Sequence, residues 1–362
     1  MKPLKVLMVV PNLRVANGVA SFAMNYYRSI DHAQVKMDFI SYKKIDTPYI
    51  DEIESNGDSV FYVTSVKNIF KHYRECKRII RAGQYDVIHD NSLLITLPLM
   101  LAGVRDVKYR ILHSHSTKLG EDNKREFRNR MLLPLLIATS NRYAACSTEA
   151  GNKMFRNRKF EIIPDVIDVD KFQFNMAVRI QTRKKEQCQN KYVIATVGRL
   201  TYAKNPFFAI DVVKQVLSKN PEVEYWWIGN GELDSDVKKH IDEKKLYDRV
   251  KLFGGRGDVP NLYQAIDLFF MPSIFEGFGL ACLEAETAGL QCLVSDRLPM
   301  EVDVTGNVVF MPLEKSTSEW AVVLEKMMEN QLDRNGAYSK VNQSSCSNKG
   351  AGERLLNYYK AL

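Results

Sequence analysis

The sequence has no hydrophobic run long enough to cross a lipid bilayer and no cysteine pattern that marks a disulfide framework. Its longest apolar stretch, residues 131–138, is far shorter than a membrane-spanning helix, and the apolar run before Pro11 is too short for the core of a signal peptide. The six cysteines are scattered through 362 residues without C-x-x-C spacing. These absences argue against a disulfide-stabilised secreted domain and a zinc-finger site, and we expect a cytoplasmic protein with reduced thiols.

The sequence also lacks low-complexity segments, a G-x-G-x-x-G fingerprint and any basic stretch interleaved with aromatic residues. The last absence argues against nucleic-acid binding, although the net charge is +8. Residues 1–170 hold 26 Lys and Arg against 19 Asp and Glu, whereas the rest of the chain holds 25 against 24. A basic first half favours an anionic partner such as a phosphate or a membrane surface, and a solubilising excess of charge is the alternative.

Short β-branched and apolar runs alternate with helical patterns along the chain, which predicts an α/β fold with parallel, doubly wound sheets. One series of predicted strands runs from residues 5–10 to 161–165, and a second runs from 192–198 to 308–312. We therefore expect two Rossmann-like domains facing across a cleft that binds the ligand. The predicted division is an N-terminal domain (1–170), a polar linker (171–190), a C-terminal domain (191–345) and a final helix (346–362) packing back toward the N-terminal domain.

The loop after the first strand of the second domain carries two cations, Arg199 and Lys204. A guanidinium and an ammonium group at a strand exit suit a diphosphate, because one offers a bidentate fork and the other a point charge. Two solvated surface cations would give the same pattern. Glycine-rich turns at 229–231 and 254–256 follow two further strands, and the second turn would let a flat base lie against the backbone.

The segment FEGFGLACLE, residues 275–284, places Glu276 and Glu284 on either side of a Gly-Phe-Gly where a strand gives way to a helix. The glycines allow close approach of a ligand, and the first N–H groups of the helix can bind a phosphate or sugar oxygen. Each carboxylate can accept two hydrogen bonds from adjacent hydroxyls, as ribose or a sugar ring offers. A glycosidase-type acid–base pair is the other interpretation, but it leaves the phosphate-type loops without a function.

The first domain offers Asn17-Gly18 before a helix, together with histidines at two neighbouring strand ends. Backbone N–H groups at a helix N-terminus favour an anion, although an Asn-Gly pair alone indicates only a turn. His113 and His115 share one face of a strand and His89 ends the preceding strand, which favours a ligand-facing role. A metal site would need a third ligand, and none is evident nearby in the sequence, so we expect no metal.

The E-x(7)-E pattern around GFG, the VGRL…K segment at 197–204 and the GNG turn resemble the retaining glycosyltransferases of family 4 over essentially the whole chain. Such enzymes have the GT-B fold and take a sugar from a nucleotide-diphosphate sugar. The resemblance implies that no cofactor or metal is needed, because protein cations and helix N-termini stabilise the leaving diphosphate. It also implies that a UDP-sugar is the favoured donor substrate. Residues 296–313 further resemble enzymes of bacterial capsule and exopolysaccharide assembly.

The resemblance also implies roles for individual residues. Glu276 would hold the transferred sugar with His113 beside it, and these are the two expected catalytic residues. The expected donor-binding residues are Gly18, Arg199, Lys204, Gly254, Gly255, Arg256, Gly277, Phe278, Gly279, Leu280 and Glu284. Among them Arg199 and Lys204 would hold the diphosphate, residues 254–256 would border the base and Glu284 would bind ribose.

Two departures from the family pattern concern the backbone. The paired glycine of the first loop is Asn17-Gly18, which Asn tolerates if its φ is positive, and the common Asn-Gly-Ile-Asp is DVID at 165–168. Neither change removes a donor-binding residue.

The N-terminal domain is expected to hold the acceptor, a glycan or a polyprenyl-diphosphate-linked sugar. Residues 66–83 combine an apolar helical face with basic residues, and an apolar run near 131–138 follows the cations Lys124, Arg125, Arg128 and Arg130. Both segments suit an anionic inner membrane surface, where each cation contributes roughly 1 kcal/mol. Ordinary amphipathic packing is the alternative for residues 66–83.

The sequence therefore predicts a retaining, metal-independent hexosyltransferase that extends a bacterial capsule or exopolysaccharide. It would be cytoplasmic, and peripheral at the inner face of the cell membrane if its basic segments bind lipid. A transferase that makes a soluble glycoside or glycolipid, a non-catalytic nucleotide-sugar-binding subunit and a sugar-nucleotide epimerase stay as alternatives. The intact glutamate pair disfavours the last two.

Overall fold

Two parallel sheets organise the chain, each in its own unit. The computed structural model describes residues 2–15, 17–120, 123–330 and 333–362. Unit 1 comprises Met1–Val166 and Asn348–Leu362, and unit 2 comprises Ile167–Ser347. The prediction of an α/β chain with two Rossmann-like sheets is confirmed.

Thirteen strands are assigned within the described residues. They are β1 (Leu4–Val10), β2 (Val35–Ser41), β3 (Val60–Tyr62), β4 (Val87–Asp90), β5 (Tyr109–Ser114), β6 (Arg142–Ala145), β7 (Glu161–Ile162), β8 (Tyr192–Val197), β9 (Val223–Ile228), β10 (Val250–Gly254), β11 (Leu268–Met271), β12 (Gln291–Ser295) and β13 (Val308–Met311).

Fifteen α-helices alternate with these strands in the same described ranges. They are α1 (Gly18–Ser29), α2 (Pro48–Ser55), α3 (Ile69–Gly83), α4 (Leu97–Gly103), α5 (Asn123–Thr139), α6 (Thr148–Phe155), α7 (Val169–Phe172), α8 (Met176–Lys185), α9 (Pro206–Lys219), α10 (Asp234–Glu243), α11 (Val259–Ala265), α12 (Leu280–Thr287), α13 (Thr317–Met328), α14 (Ala337–Asn342) and α15 (Ala351–Ala361). Short 3-10 turns cover Leu93–Thr96, Tyr202–Lys204 and Met300–Val302.

The sheet of unit 1 has the strand order β3-β2-β1-β4-β5-β6-β7, and its neighbouring strands are parallel. The five residues at the end of β1 are all buried, as expected for a central strand covered by helices on both faces. The strand order reverses between β1 and β4. Ligands of doubly wound sheets bind beyond the carboxyl ends of strands at such a reversal.

The sheet of unit 2 has the order β10-β9-β8-β11-β12-β13, again with parallel neighbours. The whole of β9 is buried, and consecutive side chains of a strand point to opposite faces. Trp226 and Trp227 therefore fill the two sides of the sheet. The strand order reverses between β8 and β11, so the loops after these strands are where this unit can bind a ligand.

Residues 171–190, predicted as a linker, instead belong to unit 2, so that prediction was wrong. Within them α8 carries Arg179 and Arg183, whose guanidinium groups lie 2.5 and 3.0 Å from the carboxylate of Asp267. Arg183 is buried and also donates to the carbonyl of Ala265. The polar composition of this segment is typical of an exposed linker. It does not reveal that backbone carbonyls and a carboxylate will accept hydrogen bonds from buried guanidinium groups.

The C-terminal helix α15 belongs to unit 1, which takes up the chain again at residue 348. Leu355, Leu356 and Tyr359 are buried in the same apolar cluster as β1 and α1. The amphipathic spacing of this helix therefore reflects its packing onto the sheet of unit 1, whose strands come from the N-terminal part of the chain.

Helix α5 has 17 residues, with cations in its first half and apolar residues in its second half around Pro134. Within the described parts of the chain, we find no helix with the length and apolarity needed to span a bilayer.

Replacing Asp267 with Asn should loosen the attachment of α8 to unit 2. Arg183 would stay buried without its carboxylate, and removing one partner of a buried ion pair costs about 3 kcal/mol. The midpoint of urea unfolding, followed by circular dichroism, measures the loss. Glu222→Gln is the matched control, because Glu222 pairs with Lys191 at the surface and should matter by less than about 1 kcal/mol. Equal effects of the two variants would contradict this anchoring role.

Candidate functional site

The loop after β8 is fixed by direct backbone packing against the loop after β9. A Cβ added to Gly229 would lie 2.2 Å from the carbonyl oxygen of Gly198, and one added to Gly231 would lie 1.9 Å from that of Leu200. Leu200 donates its N–H to the carbonyl of Asn230 at 3.1 Å. The GNG turn therefore has a structural explanation, because no side chain fits between these two loops.

Lys204 ends the 3-10 turn that follows this loop, immediately before α9. Its N–H donates to the carbonyl of Thr201 at 3.1 Å, and its side-chain Cε would lie 3.1 Å from a Cβ on Gly198. The alkyl chain thus crosses the glycine, which brings the ammonium group to the carboxyl ends of β8 and β11. Arg199 is exposed on the same loop. Its carbonyl accepts from the N–H of Thr201 at 2.9 Å, whereas its guanidinium group makes no hydrogen bond or ion pair with the residues that the structure describes.

The central interaction of the site joins two residues that are 72 positions apart. Lys204 Nζ lies 2.5 Å from Glu276 Oε1, and both side chains are mostly buried. The sequence predicted a diphosphate contact for Lys204 and a sugar contact for Glu276. An ammonium group has three donors, so the same lysine can bind Glu276 and an anionic ligand together, or exchange one for the other.

The glycine segment before α12 adopts the backbone that the sequence predicted to be unusual. Gly279 has a φ of +100° and is the residue before the first turn of the helix, and its carbonyl accepts from the N–H of Cys282 at 2.8 Å. Phe278 is buried and anchors the loop. The N–H groups of Gly279 and Leu280 make no hydrogen bond with other described residues. They lie at the positive end of α12, which suits an anion.

Glu284 lies one turn into α12 and meets a residue that the sequence reasoning missed. The hydroxyl group of Tyr263 lies 3.0 Å from Glu284 Oε2 and 2.9 Å from the carbonyl oxygen of Ala281. Burial raises the pKa of Glu284 to about 7, against the opposing effects of the Tyr263 hydrogen bond and the charge of Lys204. Nothing in the sequence around Tyr263 distinguishes it from a core aromatic in a short helix.

The strand exit after β10 is built around Asn230. A Cβ on Gly254 would lie 2.9 Å from Asn230 Oδ1, and one on Gly255 would lie 3.0 Å from its Nδ2. The guanidinium group of Arg256 turns to two carboxylates, with contacts of 2.6 Å to Asp258 and 2.9 Å to Glu186. The backbone of 254–256 can still border a planar ligand, whereas the Arg256 side chain serves an ion-pair network.

In unit 1, Asn17 has a φ of −105°, so the positive φ considered for it does not occur. Its side chain instead accepts from the N–H of Ala20 at 3.1 Å and caps α1. A Cβ on Gly18 would meet no atom within 4 Å. Local packing therefore does not explain glycine at this position, and its predicted approach to a phosphate stays a prediction.

The three histidines at strand ends, His89, His113 and His115, do come together, as their strand positions indicate. His89 Nε2 lies 2.9 Å from His113 Nδ1, and His89 Nδ1 lies 2.7 Å from the hydroxyl of Tyr359 on α15. The His113 and His115 rings stack at 4.0 Å. Burial lowers the pKa of His89 to about 3 and that of His113 well below its usual value, so both are neutral at pH 7.

His113 is completely buried, with the ring of Phe22 packed edge-on at 4.8 Å. The family resemblance implies that it lies beside the donor sugar. In this structure it belongs to a buried chain of aromatic and imidazole rings, so a contact with a sugar would require the rings above it to move. Its catalytic role stays a prediction.

Comparisons with known proteins agree with the fold. Residues 178–342 match the family model described as glycosyl transferases group 1. The chain is 27% identical over 325 residues to the glycosyltransferase EpsF of Bacillus subtilis (strain 168), covering 85% of this chain and 84% of EpsF.

A second relative is the UDP-Gal:alpha-D-GlcNAc-diphosphoundecaprenol alpha-1,3-galactosyltransferase of Escherichia coli, 26% identical over 77% of this chain and 76% of the relative. Among solved structures, HepE from Anabaena in complex with UDP-glucose superimposes with a TM-score of 0.82 at 16% identity, covering 99% of this chain and 100% of HepE. The resemblance stated from the sequence is confirmed.

Replacing Glu284 with Gln should stabilise the protein above neutral pH. The raised pKa means that the folded state holds a proton between about pH 4.5 and 7 that the unfolded state has released, so the wild type loses stability as the pH rises through this window. The gain should be on the order of 2 kcal/mol at pH 8 and vanish near pH 4.5.

Thermal unfolding at both pH values measures this difference, with the exposed Glu232→Gln as the matched control. A pH-independent effect of Glu284→Gln would contradict a buried, destabilising carboxylate.

Proposed function

We propose that this chain, which has the GT-B fold and is similar to glycosyltransferases of family 4, binds a nucleotide-diphosphate sugar in unit 2. It would transfer the sugar to a lipid-linked glycan of a bacterial surface polysaccharide. The acceptor oxygen bonds to the anomeric carbon as the bond from that carbon to the diphosphate breaks. The nucleotide diphosphate leaves with the bonding electrons, and the acceptor's proton passes to its oxygen. Retention of configuration rests on the family resemblance.

The contact between Lys204 and Glu276 at the N-terminus of α12 is the observation that carries this proposal. A cation, a carboxylate and the N–H groups at the helix N-terminus meet there. The cation and the N–H groups suit a diphosphate, and the carboxylate suits the hydroxyls of a sugar. Lys204 would neutralise the charge that develops on the leaving diphosphate, and Glu276 would accept from the sugar hydroxyls. Protein cations then do the work of a metal at the diphosphate, which supports transfer without a metal there.

Glu284 would hold the ribose, with Tyr263 keeping its carboxylate in place at 3.0 Å. A ribose offers two adjacent hydroxyls that can donate hydrogen bonds to the ionised carboxylate. These bonds would stabilise the anionic form, which burial disfavours. HepE was crystallised with UDP-glucose, and the Escherichia coli relative is named for UDP-Gal. Both names support a UDP-sugar as the donor.

A basic pocket in unit 1 supports an anionic acceptor. It has a volume of about 100 Å³ and is lined by the start of the loop after β5 and by residues of α5 and α6. Arg130, Lys153 and Arg156 supply three cations, whereas Glu126 is the single carboxylate and is held by the N–H of Leu119 at 2.8 Å. The Escherichia coli relative is named for a diphosphoundecaprenol acceptor, and a diphosphate fits this excess of positive charge.

The exposed face of α5 supports contact with an anionic membrane. Phe127, Met131 and Leu135 are 69%, 66% and 56% exposed and follow one another at four-residue spacing, so they form one apolar stripe. Lys124 and Arg128 are exposed on the same helix. Such a helix lies on a lipid surface with its apolar side chains inserted and its cations near the headgroups.

Lys204→Ala should weaken the binding of UDP about 10- to 100-fold, because a charge-assisted hydrogen bond to the diphosphate is lost. Isothermal titration calorimetry with UDP measures the change. Lys219→Ala is the matched control, since Lys219 lies on the surface of the same unit and pairs with Glu325. Unchanged UDP affinity in Lys204→Ala would refute the assignment of the diphosphate site.

Replacing Phe127, Met131 and Leu135 together with Ser should abolish flotation with phosphatidylcholine vesicles that contain phosphatidylglycerol. The wild type should float at low salt and detach as salt rises, since screening weakens the attraction of its cations. The matched control is Met176→Ser with Ile180→Ser, because these residues form a similarly exposed apolar pair on α8. Flotation that survives the triple substitution, or no flotation of the wild type, would sink the membrane assignment.

A further inference from the structure

Three side chains that follow neighbouring strands of unit 1 converge at the carboxyl edge of its sheet. His115 comes directly after β5, Cys146 directly after β6, and Asp165 three residues after β7. Nδ1 or Nε2 of the imidazole, the thiol sulfur and a carboxylate oxygen lie within 4.8 Å of one another. No third ligand is evident near His115 in the sequence, because the members of this cluster are brought together only by the pairing of three strands.

Asn91 determines which nitrogen of His115 carries a proton. The amide Nδ2 of Asn91 lies 3.1 Å from the carbonyl oxygens of both Val9 and His89, so this atom must be the donor end of the amide. The other end, Oδ1, lies 2.8 Å from Nε2 of His115. An oxygen can only accept there, so Nε2 carries the proton and, in the neutral ring, Nδ1 presents a lone pair.

That lone pair faces a second acceptor. His115 Nδ1 lies 3.6 Å from Asp165 Oδ1, and both side chains are at least nine-tenths buried. Asp165 Oδ1 makes no hydrogen bond with the described residues. The distance exceeds the 2.7–2.9 Å that is typical of a charge-assisted N–H···O bond. Two buried acceptors that face each other need a proton or a metal ion between them. The thiol sulfur of Cys146, within 4.8 Å of both, supplies a third ligand atom and favours the metal ion.

We propose that His115 Nδ1, Cys146 Sγ and Asp165 Oδ1 bind a divalent cation of the zinc class. Imidazole, thiolate and carboxylate are the three ligand types that zinc takes, and a water would complete a tetrahedron. Binding displaces one proton, from the Cys146 thiol. The hydrogen bond from His115 Nε2 to Asn91 orients the ring for this purpose.

The cluster lies in unit 1, whereas Lys204, Glu276 and Glu284 of the proposed donor site lie in unit 2. Its histidine ring stacks on that of His113 at 4.0 Å. A cation held by residues after β5, β6 and β7 would tie three strand ends of unit 1 together, including the segment just before the unit boundary at Val166. We expect its loss to be seen first in the stability of the protein.

The test uses the full chain, stripped with a chelator and titrated with Zn²⁺ by calorimetry and with Co²⁺ by absorption spectroscopy. We expect one equivalent of each metal, a thiolate-to-cobalt charge-transfer band, and a higher unfolding temperature with Zn²⁺. Cys146→Ser should lose the band and bind Zn²⁺ at least about tenfold more weakly. Cys188→Ser is the control, because it removes a buried thiol that lies in unit 2, away from the cluster. It should behave as the wild type.

Asp165→Asn gives a second variant of nearly equal size if Cys146→Ser does not fold, and it should also weaken Zn²⁺ binding at least about tenfold. Substoichiometric binding to the wild type would overturn the proposal. An unchanged cobalt band or unchanged Zn²⁺ affinity in a folded Cys146→Ser or Asp165→Asn variant would overturn it as well. A site that holds only a shared proton between His115 and Asp165 would give that result.

Discussion

The candidate site of unit 2 depends on two loops that touch through their backbones. Gly229 and Gly231 press against the carbonyls of Gly198 and Leu200 at distances that leave no room for a Cβ. Because nothing flexible lies between these loops, the start of the segment from Gly198 to Lys204 is held rigidly over the end of β8. The glycines of this turn thus set the position of a cation that they do not contact themselves. Preorganisation of this kind lets a charge act without a cost of reorganisation when the ligand binds.

The site that results is electrostatically unfavourable without a ligand. Glu284 is a carboxyl group whose burial raises its pKa to about 7, and only Tyr263 and the charge of Lys204 offset this. The neighbouring Glu286 has a pKa raised to the same value, but Thr305 binds it through both its N–H and its hydroxyl group. The two glutamates therefore differ in role. Glu286 accepts hydrogen bonds from Thr305 and is structural, whereas Glu284 can accept further hydrogen bonds from a ligand at the edge of the site. A buried carboxyl group with a raised pKa is typical of functional sites.

Much of the architecture could be predicted from the sequence, because apolar strands, helical spacing and glycine turns are local signals. The convergence of Lys204 and Glu276 followed from one general rule, that carboxyl ends of parallel strands share an edge. Side-chain contacts between residues far apart in the sequence could not be predicted. Arg183 looked like part of a linker until the carbonyls at the end of α11 satisfied it, and Tyr263 looked like any core aromatic. His113 followed the rule for strand ends but lies beneath Phe22.

The most direct measurement is calorimetry of UDP and of several UDP-sugars, including UDP-glucose and UDP-galactose, on the wild type and on Glu276→Gln. We expect the wild type to bind one UDP-sugar more tightly than UDP. Glu276→Gln should lose that preference yet bind UDP at least as well, because Lys204 is released from its ion pair at 2.5 Å and can turn fully to the diphosphate. Loss of UDP binding in a folded Glu276→Gln variant, or an unchanged preference for the sugar, would contradict the account.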